Sequence, residues 1–247
     1  MKKFFTLALA SLMLLSCSKD SIWNAQEQGQ LSVTVEQGAS IFVETKAANT
    51  GDFNLKIVKN GGEDVRYDDK VSAFDGPMTL PTGTYTVYAE NMTAAEALEA
   101  NEGRGAQRLA DTLKNVTVSA NQTTNITLNC VMVNSKVSFA FDDTFTSAFE
   151  MDYTQITESS RDIIWSKNAT LNTEIAYFQP GTLNYTITTK RAGANKTYTG
   201  QVPMAAKTWH KLTVKANVEN GQLGDITVTV DDTVEEALGD ITVDPYN

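Results

Sequence analysis

The chain has 247 residues, with 20 Lys and Arg against 30 Asp and Glu and a formal net charge of −10. That balance argues against a nucleic-acid partner, which needs clustered cations to neutralise phosphates, and the sequence has no basic stripe interleaved with aromatics. Two cysteines and one histidine exclude a disulfide framework and a His-rich metal centre, so no metal and no other cofactor is expected.

The chain opens with Lys2 and Lys3, an apolar run from Phe4 to Leu15, the small residue Ser16 and then Cys17. An apolar run of about 12 residues is too short for a stable membrane-spanning helix and reads as a processing segment. Residues 1–16 are therefore expected to be a lipoprotein signal peptide, and Cys17 the lipid-attachment residue of the mature chain. Several acyl chains on one cysteine hold a protein on a membrane where a single chain would release it. Residues 17–28 are then a lipidated tether. Ser18 stands where an aspartate would retain such a protein on the inner membrane, so the expected location is the outer membrane, lipid-anchored; Ser18, Lys19 and Asp20 resemble the short charged start that sends some lipoproteins on to the cell surface.

From residue 29 onward, apolar and polar residues alternate with the period of half-buried strands. Leu31, Val33 and Val35 share one face, as do Phe53, Leu55 and Ile57, then Tyr85, Val87 and Ala89, then Val116 and Val118, then Ile126 to Met132. Cys130 falls on the inward parity of the last of these and reads as a core thiol. The connection from Glu90 to Leu109 is the longest of this series. A capping box of Thr93 and Glu96 opens a short helix within it, as a carrier of loop-borne function or as a lid over the sandwich end.

A second series begins with Val137, Phe139 and Phe141. It continues through Ile175 and Tyr177, then Leu183, Tyr185 and Ile187, then Leu212, Val214 and Ala216, and ends with Ile226, Val228 and Val230. Asp143 is expected to cap a turn presenting Phe145, Ala148 and Phe149, and Thr233 with Glu236 to open another. Pro81-Thr82-Gly83 leading into Tyr85-Thr86-Val87 recurs as Pro180-Gly181-Thr182 leading into Tyr185-Thr186-Ile187, about one sandwich domain later. The expected fold is all-β: two tandem antiparallel β-sandwich domains of immunoglobulin-like type, at 29–134 and 135–247, with short helical insertions.

Catalytic constellations are sparse. His210 shares the inward parity of Leu212 and Val214, which suits a packed histidine better than a base. The pairs Asp68-Asp69, Asp142-Asp143 and Asp231-Asp232 point to opposite faces of a strand, so none supplies two facing carboxyls, and no catalytic residue is assigned. Trp165 and Trp209, with Tyr88 and Tyr198, are candidate stacking aromatics for a glycan, or else covers for sheet faces and inter-domain contacts.

The signal ending in Cys17, the opening Gly29-Gln30-Leu31-Ser32-Val33-Thr34-Val35, the hairpin Leu80-Pro81-Thr82-Gly83-Thr84-Tyr85-Thr86-Val87 and the closing Ile226-Thr227-Val228-Thr229-Val230-Asp231-Asp232-Thr233 resemble domain-of-unknown-function family 4493, lipoproteins of Bacteroidales. The plan is also similar to that of fimbrillin-type and minor-fimbrium anchor proteins, whose domains are transthyretin-like. In fimbrial subunits of this bacterial group a protease cuts after a basic residue, and the loss of the leading strands opens a groove that another subunit fills by strand addition. On that resemblance Lys46 and Ala47 form a candidate maturation site, Leu31, Val33, Val35, Ile41 and Val43 would depart, and the tail at Ile241-Thr242-Val243 is a candidate donor. An exposed loop lysine with no role is the alternative. The function implied is a non-enzymatic surface protein, acting in adhesion or as a fimbria-like subunit or accessory, with surface or fimbrial proteins as partners. The alternative is a glycan-binding module of a polysaccharide uptake system.

Overall fold

The computed structural model describes residues 27–38, 49–149, 151–158, 161–191, 193–219 and 222–234. The N-terminal half contains β1 (Gln28–Gln37), β2 (Asn54–Lys59), β3 (Val65–Lys70), β4 (Met78–Pro81), β5 (Gly83–Glu90), β6 (Leu109–Val118) and β7 (Thr123–Met132), laid side by side in the order β3-β2-β5-β6-β7-β1-β4. The join between β6 and β7 is narrow, with Leu109 opposite Met132 and Ala110 opposite Val131. Beyond it Asp111 Oδ2 accepts the Asn129 N–H at 2.8 Å, a side-chain substitute for a ladder bond. Inward residues from both sides of the join, among them Leu31, Leu55, Tyr85, Val87, Leu128 and Met132, form one core. Tyr85 is wholly buried, and its hydroxyl donates to the Pro81 carbonyl at 2.6 Å.

The C-terminal half contains β8 (Ser135–Phe141), α2 (Asp143–Ala148), β9 (Met151–Glu158), β10 (Arg161–Ser166), β11 (Ala176–Phe178), β12 (Gly181–Arg191), β13 (Ala194–Met204), β14 (Thr208–Glu219) and β15 (Gln222–Val234). Two four-stranded sheets, β10-β9-β12-β13 and β11-β8-β14-β15, enclose a second core that includes Phe139, Trp165, Phe178, Ile187 and Leu212. α2 closes this core as expected, with Phe145 stacked between Phe141 and Phe149 at ring separations of 5.1 and 4.7 Å. Its cap is one residue earlier than the sequence suggests. Asp142 accepts the Phe145 N–H at 3.0 Å, while Asp143 occupies the first helical position.

The all-β reading holds, and among the described side chains the strands named from alternation present the expected faces to the cores, except β11: Ala176 and Phe178 enter the second core, while Ile175 and Tyr177, the expected inward pair, pack against the first. Two strand pairs depart from a purely antiparallel plan. β1 runs parallel to β7, and β8 runs parallel to β14, so in each half the first strand lies beside a late one. Strands β3, β4, β9, β10 and β13 are not evident from alternation. Thr233 and Val234 continue β15 rather than opening a turn, and Glu236 lies outside the described residues.

Candidate functional site

Two arginines cross between the halves in opposite directions. The β5–β6 connection contains α1 (Ala94–Glu99), capped by the expected box: the Thr93 hydroxyl accepts the Glu96 N–H and the Glu96 carboxylate accepts the Thr93 N–H. Past this helix, Arg104 reaches into the second half. Its Nη1 donates to the Glu174 carbonyl at 2.9 Å and its Nη2 to the Ile164 carbonyl, and its guanidinium lies 5.2 Å from the Trp165 ring centroid. In return Arg161, at the start of β10, donates to the carbonyls of Leu98 at 3.1 Å and Gly103 at 2.9 Å, which close the helical segment. Carbonyls at a helix end have no intrahelical partner, so the guanidinium satisfies groups that would otherwise need water. The Glu90–Leu109 connection is therefore the joint between the halves, rather than a lid over one sandwich.

The joint is closely packed. Gly105 has φ +81, and a Cβ there would stand 2.8 Å from the Tyr177 carbonyl, so only glycine lets the two backbones approach this closely. Tyr177 and Ile175 belong to the second half in sequence, yet they pack against the first core, together with Trp209. Asn134, 1 % exposed at the boundary between the halves, accepts the Arg108 N–H at 3.1 Å and donates to the Ala106 carbonyl at 2.8 Å. Beside it, Arg108 Nε and Nη2 donate to Glu90 at 2.9 and 2.7 Å, and Nη2 also donates to the Tyr88 hydroxyl at 2.7 Å. Burial, followed by the hydrogen bond with Glu90, pushes the Tyr88 phenol up to about 12, so it stays protonated at neutral pH.

The aromatics named from sequence do not share a surface. Trp165 is 0 % exposed inside the second core, against Phe139 at 5.1 Å, so it offers no face to a glycan; the stacking role assigned to it is corrected here. The cause is parity: Trp165 shares the inward face of β10 with Ile163, while Ile164 points out. Trp209 is half-buried at the joint. The ammonium groups of Lys136 and Lys211 lie 4.0 and 4.5 Å from its ring centroid, and its indole N–H donates to Ser138. That arrangement fits the inter-domain covering role weighed from sequence. Tyr198 lies on β13, with Lys196 over its ring.

His210 is buried, and its Nε2 accepts the Ala205 N–H at 3.3 Å, which occupies the lone pair a general base would use. Cys130 is buried, and burial pushes its thiol up to about 12, as expected of a core thiol. No group of three or more His, Cys, Asp or Glu is placed to hold a metal among the described residues. Arg104, Arg161 and Asn134 are the interface residues the sequence reading missed. The one signal for them was Gly103-Arg104-Gly105, an arginine between two glycines in a long connection.

The first strand is the other feature with functional bearing. β1 lies inside its sheet, parallel to β7 through the pairs from Gln30 with Thr123 to Gln37 with Cys130, and antiparallel to β4 from Gln28 with Pro81 to Leu31 with Met78. Leu31 and Val35 point into the core. Burying two such side chains is worth about 3 to 6 kcal/mol together. Cys17, Lys46, Ala47, Ile41, Val43 and the segment 241–243 lie outside the described residues. No helix among the described residues is long and apolar enough to cross a membrane.

Several solved structures are similar to this chain at low sequence identity. A candidate cell adhesion protein from Bacteroides eggerthii matches with a TM-score of 0.48 and 12 % identity, covering 84 % of this chain and 96 % of its own. A fimbrial assembly protein from Parabacteroides distasonis matches with a TM-score of 0.44 and 10 % identity, covering 83 % and 99 %. The fimbrial anchor protein Mfa2 from Porphyromonas gingivalis gives 0.40 and 12 %, covering 84 % and 99 %. Likeness at this level assigns no activity. No curated protein matches the sequence. Over residues 27–245 the sequence fits the family described as Domain of unknown function (DUF4493), and the chain belongs to that family.

Proposed function

We propose that this is a lipid-anchored surface protein of two sandwich domains, at 29–134 and 135–247, that carries no enzymatic activity and serves adhesion as a fimbria-like subunit or accessory. The observation that supports this best is the placement of β1. The strand that begins a short tether's length after Cys17 is bonded on both edges inside a sheet, so a pull on the anchor passes into the folded body. The Arg104 and Arg161 crossing adds a fixed relation between the halves, as a presenting scaffold requires. The same placement makes β1 the segment whose removal after Lys46 would open an extended groove for strand addition.

Intact mass and N-terminal sequencing of the protein recovered from cells test the reading. The expected result is an acylated Cys17 terminus on protein that external protease can reach. A terminus at Ala47, with lipid gone and high-mass ladders on gels, would replace the standing anchor with a polymerising subunit. An unacylated terminus elsewhere would overturn both.

A second reading, a glycan-binding module, is favoured by one observation. Tyr88 is a half-buried aromatic on an outer sheet face, fixed through its hydroxyl to Arg108, beside an open cleft.

A further inference from the structure

We propose that the cleft at the joint, between the outer face of β5, β6 and β7 and the turn at 205–207, is a saccharide subsite sized for one neutral pyranose ring. The proposal rests on the glycan-binding reading and names its site, which is not the pair of tryptophans expected from sequence.

Strand pairing builds the floor. Tyr88 stands opposite Thr112 across β5 and β6, and Ala110 stands opposite Val131 across β6 and β7, so these side chains share the face turned away from the core. Ala110, Val131 and Val133 line the cleft as an apolar floor, and Tyr88, Arg108, Asp111, Thr112 and Lys207 are its polar groups. The cleft holds about 290 Å³, at the lower edge of the range for small-molecule sites and enough for a single sugar ring. A pyranose has one face of C–H groups and a rim of hydroxyls that both donate and accept, which is the character of this lining.

The polar groups are held in place before any ligand arrives. Arg108 is fixed by Glu90, Tyr88 and the Met92 carbonyl. Asp111 accepts the N–H groups of Thr112 at 2.7 Å and Asn129 at 2.8 Å. Lys207 has φ +61, in the left-handed region that favours glycine, and its N–H donates to the Asn134 carbonyl at 3.1 Å. Its ammonium is in no ion pair among the described residues. Preorganised groups of this kind lower the ordering cost of binding. Charge sets the ligand class. Two cations and the two carboxylates of Glu90 and Asp111 offset one another, so neither an anion nor a metal ion is favoured and a neutral sugar is.

Two other cavities lack this combination. One, of about 310 Å³ beside Gln28 and Asn121, has no ring and no charge. The other, of about 440 Å³ beside Asn184 and Gln201, has its one ring, Tyr185, over Gly200, where a Cβ would stand 2.1 Å from the phenol oxygen.

The test uses the whole mature chain on an array of oligosaccharides built from neutral hexoses, N-acetylhexosamines and uronates, with calorimetric titration of those that bind. Binding to a neutral sugar is expected. It should weaken at least tenfold in Lys207→Gly, which removes the ammonium at a position where glycine relieves backbone strain, and in Thr112→Val, on an exposed strand face. Asn184→Ala should bind as the unaltered chain does. Binding unchanged in Lys207→Gly and Thr112→Val would overturn this site while leaving the glycan reading standing, and binding to uronates alone would overturn the neutral-sugar assignment. An unaltered chain that binds nothing on the array would overturn the glycan reading and the site together.

Discussion

Glu96 ties down one turn from both ends, and its carboxyl is lowered from its ordinary value because the Thr93 backbone N–H, then the Thr93 hydroxyl, bond the charged form. A folded-state value below the unfolded one means that this contribution is complete above the ordinary carboxyl range and is lost as pH falls through the lowered value. Glu96→Gln keeps a side chain that can cap but removes the charge. Its urea midpoint should lie below that of the unaltered chain at neutral pH, and the gap should close in acid; a gap that persists in acid would exclude the carboxylate as its source. Other single residues show what one sequence can and cannot reveal. Cys130 and His210 were placed correctly because each lies in an unbroken alternation. Trp165 was misplaced because Ile163, Ile164 and Trp165 are three apolar residues in a row, which hides which of them points inward.

β1 is held by closeness as well as by pairing. A Cβ on Gly29 would stand 2.1 Å from the Ser119 carbonyl oxygen, a backbone atom that cannot swing aside. Gly29→Ala should therefore destabilise the fold by about 1 to 3 kcal/mol, the usual cost of overpacking, as read by chemical denaturation. Amide hydrogen exchange should show the loss concentrated in β1 and its partners β4 and β7; a loss spread evenly over both halves would place the strain elsewhere. At this scale the half-buried strands were legible from their alternation. β13 was not, because it is an edge strand with most residues exposed and only Val202 and Met204 buried, so its composition resembles a loop. The parallel partnering of β1 with β7 was also hidden, since alternation fixes which face a residue takes but not which strand lies alongside.

The molecule as a whole has two cores, yet the second half supplies Tyr177, Ile175 and Trp209 to the first. With Arg104 and Arg161 exchanged across the joint, the two halves should melt together in one calorimetric transition. The double variant Arg104→Ala with Arg161→Ala should separate the melt into two transitions. A single transition in that variant would show that the contacts left in place, apolar packing and the Tyr177 N–H bond to the Arg104 carbonyl, suffice to couple the halves. The joint was illegible in the sequence because its bonds run to backbone carbonyls, which every residue carries and no motif marks.

The direction of β1 has a mechanical consequence. Tension applied to the chain ahead of Gln28 runs along the strand axis, so its pairs with β7 and β4 are loaded in shear and must yield together, whereas a hairpin pulled open from its end gives way one bond at a time. In this geometry, resistance to force belongs to the first strand of the fold, and it scales with how many pairs that strand makes at once.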